Sequence, residues 1–181
     1  KEENVKAFNH LLFLLAESQG SVVSVSSLAR EVGLTVRTIE NYLTILEQTY
    51  VCYPLPSFST NVGNELKKSR KYFFYDLGIR NALIIQFQPL SDRVDVGALW
   101  ENFLMVERKK KREYARESVS MHFWRNYAGA EIDLVEVVDG VLSAFEFKWS
   151  AGNARTPKQF KDQYGIEVTG IHRDNYLDFI S

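Results

Sequence analysis

The sequence predicts a mixed α+β / α/β chain in two parts. Helices closed by two strands form the first part, and a helix, three strands, a helix and a strand form the second. Three observations carry this. Apolar residues recur at three- and four-residue spacing in successive stretches between Glu2 and Leu46. Val119 to Arg125 alternates Val119, Met121 and Phe123 against Ser120, His122 and Trp124, the two-residue period of a strand. Asp139-Gly140 stands between two apolar runs, a strong signal for a two-residue type I′ hairpin. The expected division is residues 1–85 and 86–181.

Val5, Phe8, Leu11, Leu12 and Leu15 make one amphipathic helix from Glu2 to Ser18, ended by Gly20. A second helix runs from Val25, with Ser26 or Ser27 as its cap and Gly33 as its stop. Thr35 caps a third, whose stripe is Val36, Ile39, Leu43 and Leu46. A short helix, a glycine turn and a longer helix make a helix-turn-helix. Tyr50 to Leu55 and Lys71 to Tyr75 read as strands flanking a polar, basic loop. This arrangement resembles a winged-helix domain over roughly residues 1–80. DNA binding would then use Arg37, Thr38 and Asn41 in the major groove. Lys67, Lys68, Arg70 and Lys71 on the wing would touch phosphates. A packing or dimerisation module has equal standing, because Glu40 and Glu47 accompany the single arginine of the third helix.

The 181 residues carry a formal net charge of −1, so contact with nucleic acid has to come from local patches. One cysteine, Cys52, excludes an internal disulfide, and no Cys/His cluster has zinc spacing. No run approaches the ~20 apolar residues of a membrane span, and no signal peptide is evident, so the expectation is a cytoplasmic protein without membrane contact. The chain opens on Lys1, which reads as a piece of a longer protein. No Gly-x-x-x-x-Gly-Lys-Ser/Thr loop is present, so ATP binding of that kind is not expected here.

Beyond Pro89, a helix is expected from Gly97 to about Arg116, with Glu101 near its start. The Asp139-Gly140 turn fixes the register of the strands around it. It places Asp133 across from Glu146, with Lys148 two residues further on the same face and Glu131 opposite Lys148. Directly opposed carboxylates repel, and a divalent cation removes that repulsion. Mg²⁺ is held by one or two carboxylates together with water and phosphate oxygens. A lysine beside it can orient an attacking water and stabilise charge on the phosphate.

Glu101 on a helix, then a strand, Asp133, Glu146-Phe147-Lys148, a helix near Thr156–Tyr164 and a strand near Ile166–Ile171 resemble the PD-(D/E)XK nuclease superfamily, with its restriction-endonuclease-like αβββαβ core. More narrowly, Gly97-Ala98-Leu99-Trp100-Glu101-Asn102-Phe103 and Glu131-Ile132-Asp133-Leu134 resemble a prokaryotic domain of unknown function. That domain lies C-terminal to predicted AAA-type ATPases and is also preceded by a winged helix. The resemblance implies that Asp133, Glu146 and Glu101 hold Mg²⁺ or Mn²⁺. Catalysis would rest on Glu101, Asp133, Glu146 and Lys148, and an ATPase domain would precede this region in the full-length protein. Ile132 replaces the proline of the motif. The same resemblance allows a catalytically inactive DNA-binding or regulatory module of that ATPase, and a pure protein–protein interaction role is a third reading. Arg108-Lys109-Lys110-Lys111-Arg112 reads either as a track for a phosphate backbone or as a solvated helix face.

Overall fold

The computed structural model describes residues 2–58 and 69–181. These form a mixed α+β structure with seven α-helices and two small sheets. They divide into two compact units, Lys1–Leu55 with Lys68–Arg93, and Pro56–Lys67 with Val94–Ser181.

In the first unit, α1 (Glu2–Glu17), α2 (Val25–Val32) and α3 (Val36–Gln48) form the three expected helices. Ser24, rather than Ser26 or Ser27, caps α2, its side chain accepting the Ser27 N–H at 3.2 Å. Gly33 ends that helix at φ 77°, a conformation a side chain would disfavour. Thr35 caps α3 by accepting the Thr38 N–H. β1 (Cys52–Pro56) and β2 (Arg70–Phe74) pair in a two-stranded sheet. α4 (Leu77–Leu83) follows, with Asp76 as its cap. Leu11, Leu15, Leu28, Ile39, Leu43, Leu46, Cys52, Tyr72 and Phe74 build the core. Val5 and Val36, read as parts of helix stripes, are instead exposed. Arg80 is buried and ties α4 to α1, its Nε donating to the Ala16 carbonyl at 3.1 Å. That bond satisfies a carbonyl in the last turn of α1, which has no partner within its own helix.

A short 3₁₀ turn, Leu90–Asp92, follows α4. In the second unit, α5 (Val96–Tyr114) precedes β3 (Val119–Arg125), β4 (Glu131–Val138) and β5 (Val141–Phe147). α6 (Lys158–Tyr164), β6 (Val168–Ile171) and α7 (Tyr176–Ile180) complete it. The sheet order is β3-β4-β5-β6, with β5 and β6 parallel and the other pairs antiparallel. The hairpin turn forms at Asp139 (φ 50°) and Gly140 (φ 81°), both in the positive-φ region that a type I′ turn requires. Val138 pairs with Val141, as its sequence demands.

Phe160 of α6 packs with Trp124, Ile132, Val135, Ala144 and Val168. Phe179 of α7 packs on Phe145 and Phe147, neighbours of Ala144 that point to the opposite side of β5. The sheet is therefore covered on both faces. On the second face lies a fully buried carboxylate, Glu136, which is 0% exposed. Arg108 of α5 grips it with two bonds, Nε at 2.8 Å and Nη2 at 2.7 Å. Arg112, one turn on, adds a third at 2.8 Å. Arg108 Nη1 also donates to the Phe179 carbonyl at 2.6 Å, and its guanidinium lies 4.3 Å above the Phe179 ring. Most of the basic run is thus internally satisfied: Lys109 pairs with Glu113 and Lys110 with Glu107.

Burial pushes the Glu136 carboxyl up, but the hydrogen bonds from Arg108 and Arg112 outweigh it and hold it below the usual glutamate range. A lowered folded value contributes stability that is present above the unfolded value of about 4.3 and lost as pH falls through the folded one. Urea unfolding should show Glu136→Gln destabilised by about 3–5 kcal/mol at neutral pH, because two arginines lose their counter-charge. That deficit should narrow in acid; a deficit constant with pH would refute the charge-based account. In the first unit, burial and then Glu47 push the Cys52 thiol up to about 12. Native protein should therefore leave Ellman's reagent unreacted and release one equivalent only when unfolded.

Candidate active site

Asp133 sits where β4 is irregular. The β3–β4 register passes from His122 opposite Val135 to Trp124 opposite Ile132, so Asp133 and Leu134 together stand against Phe123. An extra residue in one strand is a β-bulge, which bends the strand and re-aims a side chain. The regular β4–β5 ladder ends at Leu134–Phe145, one step before the expected pairing of Asp133 with Glu146. Asp133 uses its side chain instead: Oδ2 accepts the Phe147 backbone N–H at 2.7 Å. The carboxylate stands in for the ladder carbonyl and is locked to the start of the Phe147-Lys148 segment.

Glu146 lies at the end of β5, paired in register with Gly170 of β6. Lys148 is past the last residue of the strand, and its N–H donates to the Ile171 carbonyl at 2.9 Å. Its Nζ donates to Glu146 Oε1 at 2.6 Å. Glu131 pairs with Arg125 at 3.6 Å, not with Lys148, because Arg125 is its register partner on β3. Glu101 is half-buried in the second turn of α5.

The Lys148 ammonium unites these residues electrostatically. The hydrogen bond it donates to Glu146 raises its pKa most, and the charges of Glu146, Asp133 and Glu101 raise it further. Of the three carboxylates, Glu146 is bonded to the lysine, while Asp133 and Glu101 act on it through their charges. The lysine is consequently a firm cation at neutral pH. It can donate to a water or a phosphate oxygen but cannot accept a proton.

The donor atoms available are carboxylate oxygens, which suit a hard divalent cation. Mg²⁺ needs only one or two of them, with water and substrate phosphate completing its shell. Asp133 and Glu146 supply two, and Glu101 stands in the surrounding charge. Among the described residues, no three His, Cys, Asp or Glu side chains are gathered closely enough to enclose an ion. The donor chemistry fits, then, in the open, water-rich manner of Mg²⁺.

An aromatic group borders these residues and is not apparent in the spacing of the motif. Trp100, the neighbour of Glu101, meets Trp149, the neighbour of Lys148, edge-on at 5.4 Å, and Tyr176 of α7 at 5.2 Å. The Arg173 guanidinium lies 4.7 Å over the Trp149 ring. The only sequence signal was adjacency: one tryptophan beside the helix carboxylate and one beside the lysine.

The residues expected to meet DNA in the first unit are less uniform. Arg37 and Asn41 are exposed one turn apart on α3. The Thr38 hydroxyl is engaged with that of Thr35 at 2.8 Å. Glu40 and Glu47 of the same helix line a cleft of about 510 Å³ with Ser24, Thr44, Arg70 and Tyr72. Lys67 and Lys68 lie outside the described residues. Arg70 is half-buried, and its Nη1 donates to the Ser69 carbonyl. Lys71 is only 1% exposed, so it is a core residue rather than a phosphate contact. β2 is covered on both faces: it buries four consecutive residues, and only Arg70 at its start keeps surface.

Comparison with known proteins agrees with this division of the chain. Residues 1–90 match the model of one domain of unknown function, DUF8612. Residues 96–174 match a second, DUF4143, commonly associated with ATPases. The chain is 26% identical over 141 residues to the uncharacterized protein Rv2008c of Mycobacterium tuberculosis and equally to the uncharacterized protein Mb2031c of Mycobacterium bovis. The match covers 75% of this chain but 30% of each relative, so the chain spans under a third of their length. No solved structure matches it. No helix among the described residues is long and apolar enough to cross a membrane.

Proposed function

We propose that the second unit is a Mg²⁺- or Mn²⁺-dependent nuclease centre that hydrolyses phosphodiester bonds, built on a PD-(D/E)XK-like core. The observation that carries this reading is the bond of Lys148 Nζ to Glu146 Oε1 at 2.6 Å, next to an Asp133 carboxylate held on the Phe147 N–H at 2.7 Å. A carboxylate bonded to a lysine, with a second carboxylate fixed on the adjoining backbone, supplies the residue types that metal-assisted phosphate hydrolysis uses. The bound cation would supply Lewis-acid stabilisation of the phosphate and lower the pKa of its water. Asp133 and Glu146 would hold it, with Glu101 contributing to its water shell.

The chain's own groups have separable tasks. Lys148, protonated, donates to a non-bridging phosphate oxygen or to the attacking water, offsetting the negative charge that builds up on phosphorus. Being protonated, it leaves the proton of the attacking water to the surrounding carboxylates. The Phe147 N–H fixes one oxygen of Asp133, so that carboxylate needs no reorganisation when substrate arrives. The first unit, a winged helix in this reading, presents Arg37 and Asn41 to DNA. An N-terminal AAA-type ATPase would complete the protein, in keeping with the greater length of its relatives.

One observation favours a second reading, a non-catalytic DNA-binding or regulatory module of that ATPase: Lys148 already satisfies Glu146, and no three-donor cluster is gathered among the described residues.

Cleavage of plasmid and single-stranded DNA in Mn²⁺ or Mg²⁺ separates the two. The nuclease reading expects activity abolished by EDTA and reduced at least about 100-fold in Asp133→Asn and Lys148→Ala. Calorimetric Mn²⁺ titration should in addition lose its binding heat in Asp133→Asn but keep it in Lys148→Ala. DNA binding without cleavage or specific metal uptake by the parent would support the regulatory module instead.

A further inference from the structure

Most cations of the second unit are already matched. Arg108 and Arg112 hold Glu136, Lys109 holds Glu113, and Lys110 holds Glu107. Arg125 faces Glu131, Lys148 bonds Glu146, and Lys161 pairs with Glu167. Arg155 and Lys158 stand outside these pairs, as do Lys111, Arg116 and Arg173, but only Arg155 and Lys158 share a cleft among those described. Both are exposed, and neither makes an ion pair among the described residues. They line one cleft of about 410 Å³, together with Asn126, Ala130, Glu131, Pro157 and Gln159.

The cleft is polar and organised. Asn126 Oδ1 accepts the Ala130 N–H at 2.9 Å, which closes the β3–β4 turn. Asn126 Nδ2 donates to Gln159 Oε1, also at 2.9 Å, which joins that turn to α6. This bond uses the Gln159 oxygen and leaves its amide N–H₂ outside it. Glu131 is the only acid lining the cleft, and Arg125 answers its charge. Two cations and an amide donor therefore remain for a ligand, which selects an anion with several acceptor oxygens.

Position identifies the anion. Glu131 lies two residues before Asp133 on β4, a separation of about 6.6 Å along the strand. That is about two base rises of a polynucleotide strand. We propose that the Arg155–Lys158 cleft binds the phosphate backbone of the nucleic acid strand being cut, close beside the scissile phosphate. The inference rests on the nuclease reading for its substrate, but it concerns residues outside the carboxylate–lysine site. Arg155 and Lys158 act here as positioning residues: they hold the strand in register while Asp133, Glu146 and Lys148 act on one phosphate.

The test is fluorescence anisotropy of the 181-residue chain with a fluorescein-labelled duplex and single strand, in EDTA, across about 50–200 mM salt. Each lost phosphate contact lowers the slope of log affinity against log salt by about 0.9 on duplex and about 0.7 on single strands. Arg155→Ala/Lys158→Ala should therefore flatten the slope by about 1.8 or about 1.4, respectively. Arg155→Lys/Lys158→Arg should stay close to the parent. Lys161→Gln, which removes a paired cation from the same helix, should change little. An unchanged slope in the double alanine variant, or an equal loss in Lys161→Gln, overturns the cleft and leaves the nuclease reading standing. A parent without salt-dependent DNA affinity overturns both.

Discussion

The buried carboxylate of Glu136 is the constraint on which the second unit depends. A charge taken out of water at this depth costs several kcal/mol unless it is fully paired. Two arginines one helical turn apart satisfy it with three hydrogen bonds. Because Arg108 and Arg112 both belong to α5, the helix has one azimuth and one axial position in which Glu136 is paired. Arg108 also takes the carbonyl of Phe179, so α7 is fixed by the same side chain. The cluster orients more than it stabilises: a well-packed apolar replacement can equal such a group in stability, but it would not specify the rotation of α5.

That rotation matters for the site. Glu101 stands seven residues before Arg108, two turns of the same helix, so the contact that sets Arg108 against β4 also sets the height of Glu101 above the sheet. The bulge at Asp133 and the end of β5 provide the other half of the arrangement. Regular pairing would have left two carboxylates opposed across a hairpin, where they repel. The bulge turns Asp133 onto a backbone N–H, and Glu146 finds Lys148. The charges of Asp133 and Glu146 are thereby each offset by a neighbouring donor, and the lysine stays protonated.

Much of this was legible beforehand. Helix limits followed from caps and periodicity, and the strands from alternation and from Asp139-Gly140. Hairpin register followed from the Asp139-Gly140 turn, although the ladder stops one step short of the expected Asp133–Glu146 pair, and Glu101 was joined to the other three only through the family resemblance. Other features depended on partners far away in the chain. Glu136 sits among valines and gives no local hint of a buried ion pair, and the role of Arg108 is hidden in a run of five cations that reads as a solvated face. Lys71 reads as a wing cation because burial of one side of a short strand depends on what packs against it.

By itself the sequence determined the elements, their order, the turn at Asp139-Gly140 and the residue types able to meet a phosphate. These are local properties: capping, period and turn conformation act within a few residues, so they can be read from a few residues. Only the tertiary structure decided that Asp133 leaves the ladder, that Lys148 bonds Glu146 rather than Glu131, and that Arg108 and Arg112 are interior while Arg155 and Lys158 are not. Those outcomes depend on which groups meet across the sheet and on the cost of leaving a charge unpaired away from water, and neither is encoded at any one position of the chain.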